Sequence, residues 1–269
     1  MQIDAHHHVW QVARGDYAWM SPDLAIARDY GLGELRPLLG TVTATILVQA
    51  AETEAETDFL LDVARASGGL VRGVVGWADL AAADAPTRIA ARAADPLLRG
   101  LRPMLQDIAD TGWVLRPAVQ PALAAMAAQG LRFDALIRPR HLPIIGELAQ
   151  RHPTLAVVID HAAKPDIAGG DFAPWAGHMA RLARETPWCC KVSGLVTEAA
   201  PGWRREDLRP YIDHLLAEFG PGRLMWGSDW PVVDLAGGYA RWREAALALI
   251  PATAQPAILG TTAARFYGV

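Results

Sequence analysis

Eight short apolar runs recur along the chain, and their even spacing limits the fold more than any other feature of the sequence. They are QIDAHHHV (2–9), ATILVQA (44–50), VRGVVGWADL (71–80), LLRGLRPML (97–105), RFDALIRP (132–139), LAVVIDHAA (155–163), PWCCKVSG (187–194) and RLMWGSDWP (223–231). Short runs of mixed β-branched character read as buried strands. Between them lie segments with helical periodicity, among them 54–68, 119–130, 142–153, 175–187 and 205–220, many ending at Gly or Pro. The Ala-rich stretch at 80–96 reads as helical as well. Strand starts fall about 25 to 40 residues apart, the size of one βα unit with its loops. Eight such units in 269 residues predict an α/β fold, a single (β/α)8 TIM barrel domain over residues 1–269. An open doubly wound sheet is the rival, disfavoured by the count and the spacing. The ending TAQPAILGTTAARFYG (253–268) reads as an extra C-terminal helix that packs Phe266 and Tyr267 back onto the barrel.

In a parallel barrel the chemistry sits at the C-terminal ends of the strands. Those ends carry His6 and His8 on the first strand, Gln49 on the second, Trp77 and Asp79 on the third and Arg102 on the fourth. Arg138, His161, Lys191 and Asp229 follow on the fifth to eighth. Apolar strands ending in titratable groups are costly unless those groups face solvent, each other or a ligand, so the series reads as an active site. Side chains alternate in an extended segment, which puts His6 and His8 on one face with Asp4, and His7 on the other with Ile3 and Ala5 as a structural residue. His141, His152, His178 and His214 fall in helical or loop contexts and read as surface residues. Of Trp77, Trp113, Trp226 and Trp230, one or two are expected to line a pocket, since small-molecule pockets are walled largely by apolar and aromatic side chains.

Composition narrows the function. Hydrophobic residues make up 52% of the chain and charged residues 20%, the balance of a well-packed globular protein. A formal charge of −4 with scattered arginines offers no basic field for phosphate backbones, so nucleic acid is not an expected partner. No apolar run approaches the roughly 18 to 20 residues of a membrane span. The two cysteines, Cys189 and Cys190, are adjacent and read as packing, and the N-terminus lacks the basic and apolar regions of a signal peptide. A cytoplasmic location is the expectation.

DAHHH as a D-x-H-x-H opening, VVIDHAAKP on the sixth strand and MWGSDWP on the eighth resemble the amidohydrolase superfamily. Within it they resemble the lactonase-like branch of L-fuconolactonases, L-rhamnonolactonases and 2-pyrone-4,6-dicarboxylate lactonase. VQAAETEAET, GVVGWADL, RGLRPMLQD, CKVSGLVTEA and the terminal AARFYG are also similar, so the resemblance covers essentially the whole chain. A two-metal member would add a Glu or carboxylated Lys on strand 4 and a His on strand 5, where this chain has Arg102 and Arg138. Two fixed positive charges repel a metal. No metal is therefore expected to be required; if one ion such as zinc is bound, His6, His8 and Asp229 would hold it with an open position. The resemblance implies the same, since members of this branch work without a required metal.

The expected activity is that of a hydrolase on a carboxylic ester, opening the ring of a small lactone, most simply a sugar-acid (aldono) lactone. Asp229 would activate water and return the proton to the leaving oxygen. His161, with Lys191 or His6 and His8, would stabilise the developing oxyanion. Arg102, Lys191, Arg138, Gln106 and Trp77 would contact substrate, arginine's planar fork orienting hydroxyl or carboxylate groups. Two other readings stay open: a metal-dependent decarboxylase of a small aromatic or muconic acid on the same scaffold, and a non-catalytic sugar-acid-binding protein. An acid at the end of strand 8 argues for catalysis, because a binder of anionic ligands gains nothing from it.

Overall fold

The computed structural model describes all 269 residues. Eight parallel strands follow one another around a single sheet in chain order: β1 (Ile3–His7), β2 (Ala44–Val48), β3 (Val71–Gly76), β4 (Leu98–Leu101), β5 (Arg132–Ala135), β6 (Val157–Ile159), β7 (Cys189–Val192) and β8 (Leu224–Trp226). The ring closes between β8 and β1. There the Asp229 N–H donates to His6 O at 2.8 Å and the His8 N–H donates to Trp230 O at 2.7 Å. This is a (β/α)8 barrel.

Every strand begins within two residues of the start of its apolar run and stops short of the run's end. In RFDALIRP the ladder ends at Ala135, yet Leu136 and Ile137 remain buried as loop, and in LAVVIDHAA it ends at Ile159. The helices Glu54–Ala66, Gln120–Ala128, Phe172–Glu185 and Arg205–Phe219 cover the outside and bury their apolar faces on the sheet. The segment expected as one helix at 142–153 is two short pieces, Leu142–Ile145 and Glu147–Arg151, broken at Gly146.

Most of the core lies between sheet and helices, where the larger cluster of 71 buried residues sits, and only 11 form the cluster inside the barrel. Space along the barrel axis is therefore left for other groups. The C-terminal segment closes the end at which the strands start. Ala263 and Tyr267 of helix Thr262–Tyr267 join the inner cluster with Ile3, Ala44 and Met225, and Phe266 packs against it. The predicted extra helix is thus present, although its first part, Ala257–Thr261, is wound more loosely as a π-turn. No helix is long and apolar enough to cross a membrane.

Candidate active site

At the carboxyl end of the barrel three imidazoles converge on one carboxylate. Asp229 Oδ1 lies 3.3 Å from His8 Nε2, 3.7 Å from His6 Nε2 and 3.8 Å from His161 Nε2. All four residues are buried and stand together at the strand ends; His8, His161 and Asp229 line one cavity, whereas His6, expected to open into it, lies fully buried behind Asp229. His8 is held between two acceptors, Nδ1 on Val48 O at 2.8 Å and Nε2 on Asp229, and a ring so placed donates to both when it carries two protons. His161 Nδ1 meets Ser193 Oγ at 2.9 Å, leaving Nε2 toward the site. Burial pushes the His161 imidazole down to about 4. Burial alone would raise the Asp229 carboxyl, but the His161 charge, the hydrogen bond from His8 and the other nearby imidazoles hold it well below the usual carboxylate range. An ionised acid faces the cavity at neutral pH.

The backbone that aims these groups is strained. Four consecutive residues, His161, Ala162, Ala163 and Lys164, occupy the left-handed region with φ between 50° and 61°, and Asp229 does so with φ 60°. Each costs about 1–2 kcal/mol relative to ordinary conformations. Strain concentrates where surrounding structure over-determines it, typically at functional sites. Here the turn is closed by Lys164 N–H donating to His161 O at 2.8 Å and pinned by Trp175 Nε1 donating to Ala162 O at 2.7 Å. Two glycines make room for the rings. A Cβ on Gly194, which has φ +62°, would lie 2.5 Å from His161 Nδ1, and one on Gly227 would lie 2.6 Å from His6 Cβ.

The first strand departs from simple alternation. Its register slips between Asp4 and His7, so Ile3 and Ala5 join the inner cluster and His6 still faces the axis. Bulges of this kind re-aim side chains near active sites. Asp4, expected on the face of His6, instead accepts from the Ser228 N–H at 2.8 Å and the His6 N–H at 3.2 Å. His7 is structural, as predicted: its Nε2 meets Thr45 Oγ1 at 2.9 Å.

Below His6 the axis is filled by charge. Lys191 Nζ donates to Asp134 Oδ2 at 2.6 Å and to His6 Nδ1 at 3.1 Å, and lies 3.0 Å from Asp160 Oδ1. Arg102 Nη1 lies 3.3 Å from His6 Nε2 and 3.4 Å from Asp160 Oδ2, while Nη2 donates to Gln49 O and, at 3.0 Å, to Gln49 Oε1. From beneath, Tyr267 O–H donates to Asp134 Oδ2 at 2.7 Å. Two cations face two carboxylates, which is how a buried cluster avoids a net charge. Asp134 and Asp160 are functional-region residues that sequence reasoning missed. The only trace of them is a single acid inside each of the fifth and sixth strand runs.

Several expected contacts fall elsewhere. The cavity, about 210 Å³, is lined by His8, His161, Asp229, Arg102, Gln106 and Lys164, with an apolar wall that includes Trp10, Trp19 and Met104. Lys191 is fully buried beneath His6 and has no face on it. Arg138 is exposed because β5 ends at Ala135, and its charge does not stand at the site. None of Trp77, Trp113, Trp226 or Trp230 lines the cavity; Trp10 and Trp19 do so from the long loop after β1. Trp19 is fixed by donating from Nε1 to Ala50 O at 2.6 Å. His141 is buried rather than at the surface, with Nδ1 accepting from the Arg138 N–H at 3.1 Å.

The donor set is suited to one divalent ion. His6, His161 and Asp229 each offer a ligand atom, all within 4.8 Å of one another, with His161 in the place expected for His8. Nitrogen and carboxylate donors at nearly this spacing suit zinc with an open position. The electrostatic objection also weakens, because Arg138 is absent and Arg102 and Lys191 are balanced by Asp134 and Asp160.

A closed parallel barrel that gathers imidazoles and a carboxylate from strands 1, 6 and 8 at its carboxyl end defines a barrel enzyme built for hydrolytic chemistry. The amidohydrolase family profile matches residues 3–269, and the chain belongs to that family. It is 45% identical over 278 residues to an L-fucono-1,5-lactonase of Burkholderia ambifaria, covering 100% of this chain and 96% of that protein. A second L-fucono-1,5-lactonase, from Burkholderia multivorans, is 38% identical over 292 residues with the same coverage. The crystal structure of a Burkholderia multivorans amidohydrolase with bound zinc superposes with a TM-score of 0.90 at 37% identity, covering 100% of this chain and 99% of that one.

Proposed function

We propose that the protein, acting as one barrel domain in the cytoplasm, hydrolyses the ring ester of an aldono-1,5-lactone. The carrying observation is the ionised Asp229 carboxylate set among three imidazole nitrogens at the floor of a small cavity. The lactonase relatives, matched over nearly their full length, support lactone hydrolysis over decarboxylation or simple sugar-acid binding.

In this reading Asp229 takes a proton from water as the water attacks the lactone carbonyl, then gives it to the departing ring oxygen. His8 and His161, each with Nε2 toward the site, supply hydrogen bonds to the oxyanion, and the Arg102 guanidinium adds positive charge. Arg102 and Gln106 orient the substrate's hydroxyl groups, Lys164 adds a further cationic contact, and Trp10 and Trp19 form the flat wall on which the ring rests. Lys191 takes no part in substrate contact and supports His6 from below. A divalent ion held by His6, His161 and Asp229 would polarise the carbonyl and acidify water. The reaction does not require it, because the Arg102 guanidinium already brings positive charge to the same place.

The test is a panel of aldonolactones, L-fucono-1,5-lactone among them, followed by acid release with and without chelator. Hydrolysis well above the spontaneous rate is expected for at least one sugar lactone. Turnover of none of them, with release of carbon dioxide from an aromatic acid instead, overturns the proposal.

A further inference from the structure

The contacts of Lys191 bear on which nitrogen of His6 carries the proton. An ammonium has three protons and no lone pair, so every group it meets must accept. It donates to Asp134 Oδ2 at 2.6 Å and meets His6 Nδ1 at 3.1 Å, while Asp160 Oδ1, 3.0 Å away, is an ion-pair neighbour out of line for a hydrogen bond. A neutral imidazole has one accepting nitrogen and one donating nitrogen. With Nδ1 facing the ammonium, Nδ1 accepts and the ring proton sits on Nε2, which looks into the site.

A metal ligand needs the reverse, a lone pair on Nε2 and the proton on Nδ1. The partner for that arrangement is also in place. Asp160 Oδ1 lies 3.6 Å from His6 Nδ1 and, though fully buried, has no aligned hydrogen-bond donor. Metal-binding histidines commonly donate their second nitrogen to a carboxylate in this way. His6 therefore stands between a donor that favours one tautomer and an acceptor that favours the other. Arg102 Nη1, 3.3 Å from Nε2, prefers the metal-binding tautomer, but Asp160 Oδ2 at 3.4 Å serves it in either state. Asp134 Oδ2 holds one Lys191 proton, and the proton aimed at Nδ1 could turn only to Asp160 Oδ1, 3.0 Å away and out of line.

We infer that Lys191 holds His6 in the Nε2–H tautomer, making it a hydrogen-bond donor at the floor of the site and a poor metal ligand, so that Lys191 is the positioning residue that keeps metal affinity low. Binding an ion at Nε2 moves the ring proton to Nδ1 and turns it toward Asp160, with no change in proton count, and strips Lys191 of one acceptor. The inference rests on the metal-optional part of the proposed function and not on the identity of the lactone. Neither readout below needs a substrate, so its failure and the failure of the lactonase reading are separable.

The test begins with chelator-treated parent protein carrying ¹⁵N-labelled histidine, whose long-range ¹H–¹⁵N spectrum reports the tautomer of each ring. His6 is assigned by the signals lost in His6→Gln. The expected result is a proton on His6 Nε2; a proton on Nδ1 overturns the inference outright. The second arm measures zinc affinity by competition with a chromophoric chelator in the parent and in Lys191→Gln/Asp134→Asn, a pair that removes one buried charge of each sign. Changes to the partners of a metal-binding histidine typically move affinity about 10- to 100-fold, and here zinc should bind tighter by that factor. Unchanged or weaker zinc binding in a folded double variant refutes the role of Lys191. If the double variant does not fold, the tautomer in the parent decides the matter.

Discussion

Replacing Asp229 with Asn is the most informative single change to this site. Asn keeps the shape, and it belongs to the few residue types that tolerate the left-handed backbone that position 229 adopts at φ 60°. Ala there would add about 1–2 kcal/mol of conformational cost, confusing a loss of fold with a loss of chemistry. The amide carbonyl of the substituted side chain still accepts from His8 Nε2, which lies 3.3 Å from the carboxylate in the parent, but as a neutral rather than a charged partner. A charge-assisted hydrogen bond is worth about 1.5–3 kcal/mol and a neutral one about 1, so a stability loss of roughly 1–2 kcal/mol is expected. Catalysis suffers far more. A positioned acid–base group contributes about 10²- to 10⁴-fold, equivalent to roughly 3–5 kcal/mol of barrier. Initial rates of acid release across lactone concentration separate kcat from KM, and thermal melts of the same samples report the fold. The expected pattern is kcat down by at least about 100-fold, KM within a few-fold and a melt shifted by only a few degrees. A purified, folded Asp229→Asn protein that turns over within a few-fold of the parent shows that Asp229 is not the base and serves only to shape its turn.

Gly194→Ala places a methyl in the His161 ring on a left-handed backbone, so stability should fall by about 2–4 kcal/mol and kcat/KM by about 100-fold as the imidazole is displaced; retention of parental activity would contradict the packing described. Glu56, which accepts from the N–H groups of Ala50 and Ala51, has its carboxyl pushed up to about 7 by burial. Its protonated form is favoured on folding, so its contribution is fully present below the ordinary value of 4.5 and is lost as pH rises through about 7. Denaturant melts of the parent and Glu56→Gln should therefore diverge with pH, the parent losing about 3 kcal/mol relative to the variant between pH 4 and 8; a difference that stays flat would rule this out. Exhaustive chelation should leave most lactonase activity intact, whereas activity abolished by chelator and restored by zinc would make the ion essential.

The barrel was legible because each βα unit repeats the same apolar period. His6, His8, His161 and Asp229 were legible because a polar group ending an apolar strand is costly to bury unless it serves a site. What escaped the sequence is what depends on where a strand stops or which way it turns. Arg138 reads as a strand end because Leu136 and Ile137 are as apolar as strand residues, although the strand itself ends at Ala135. Asp4 reads as a neighbour of His6 because alternation carries no sign of the register slip between them. Lys191 reads as a substrate contact because its two carboxylate partners come from β5 and from the turn after β6, far from it in the chain. Trp10 and Trp19 belong to a long loop without periodicity, whose path across the barrel mouth no local pattern announces.

Barrel enzymes are commonly described as divided, one face conserved for stability and the other free to evolve chemistry. The charged column along this axis ties the two faces together. Tyr267 in the closing helix touches Asp134, Asp134 touches Lys191, and Lys191 touches His6, so the floor of the active site is three contacts from the opposite end of the molecule. Substitutions in the closing helix that look neutral by distance are thus exposed to selection on turnover. Laboratory evolution of this scaffold would be expected to yield activity changes from its C-terminal helix as well as from its loops, and swapping that helix between related barrels would carry over part of the active site's electrostatics.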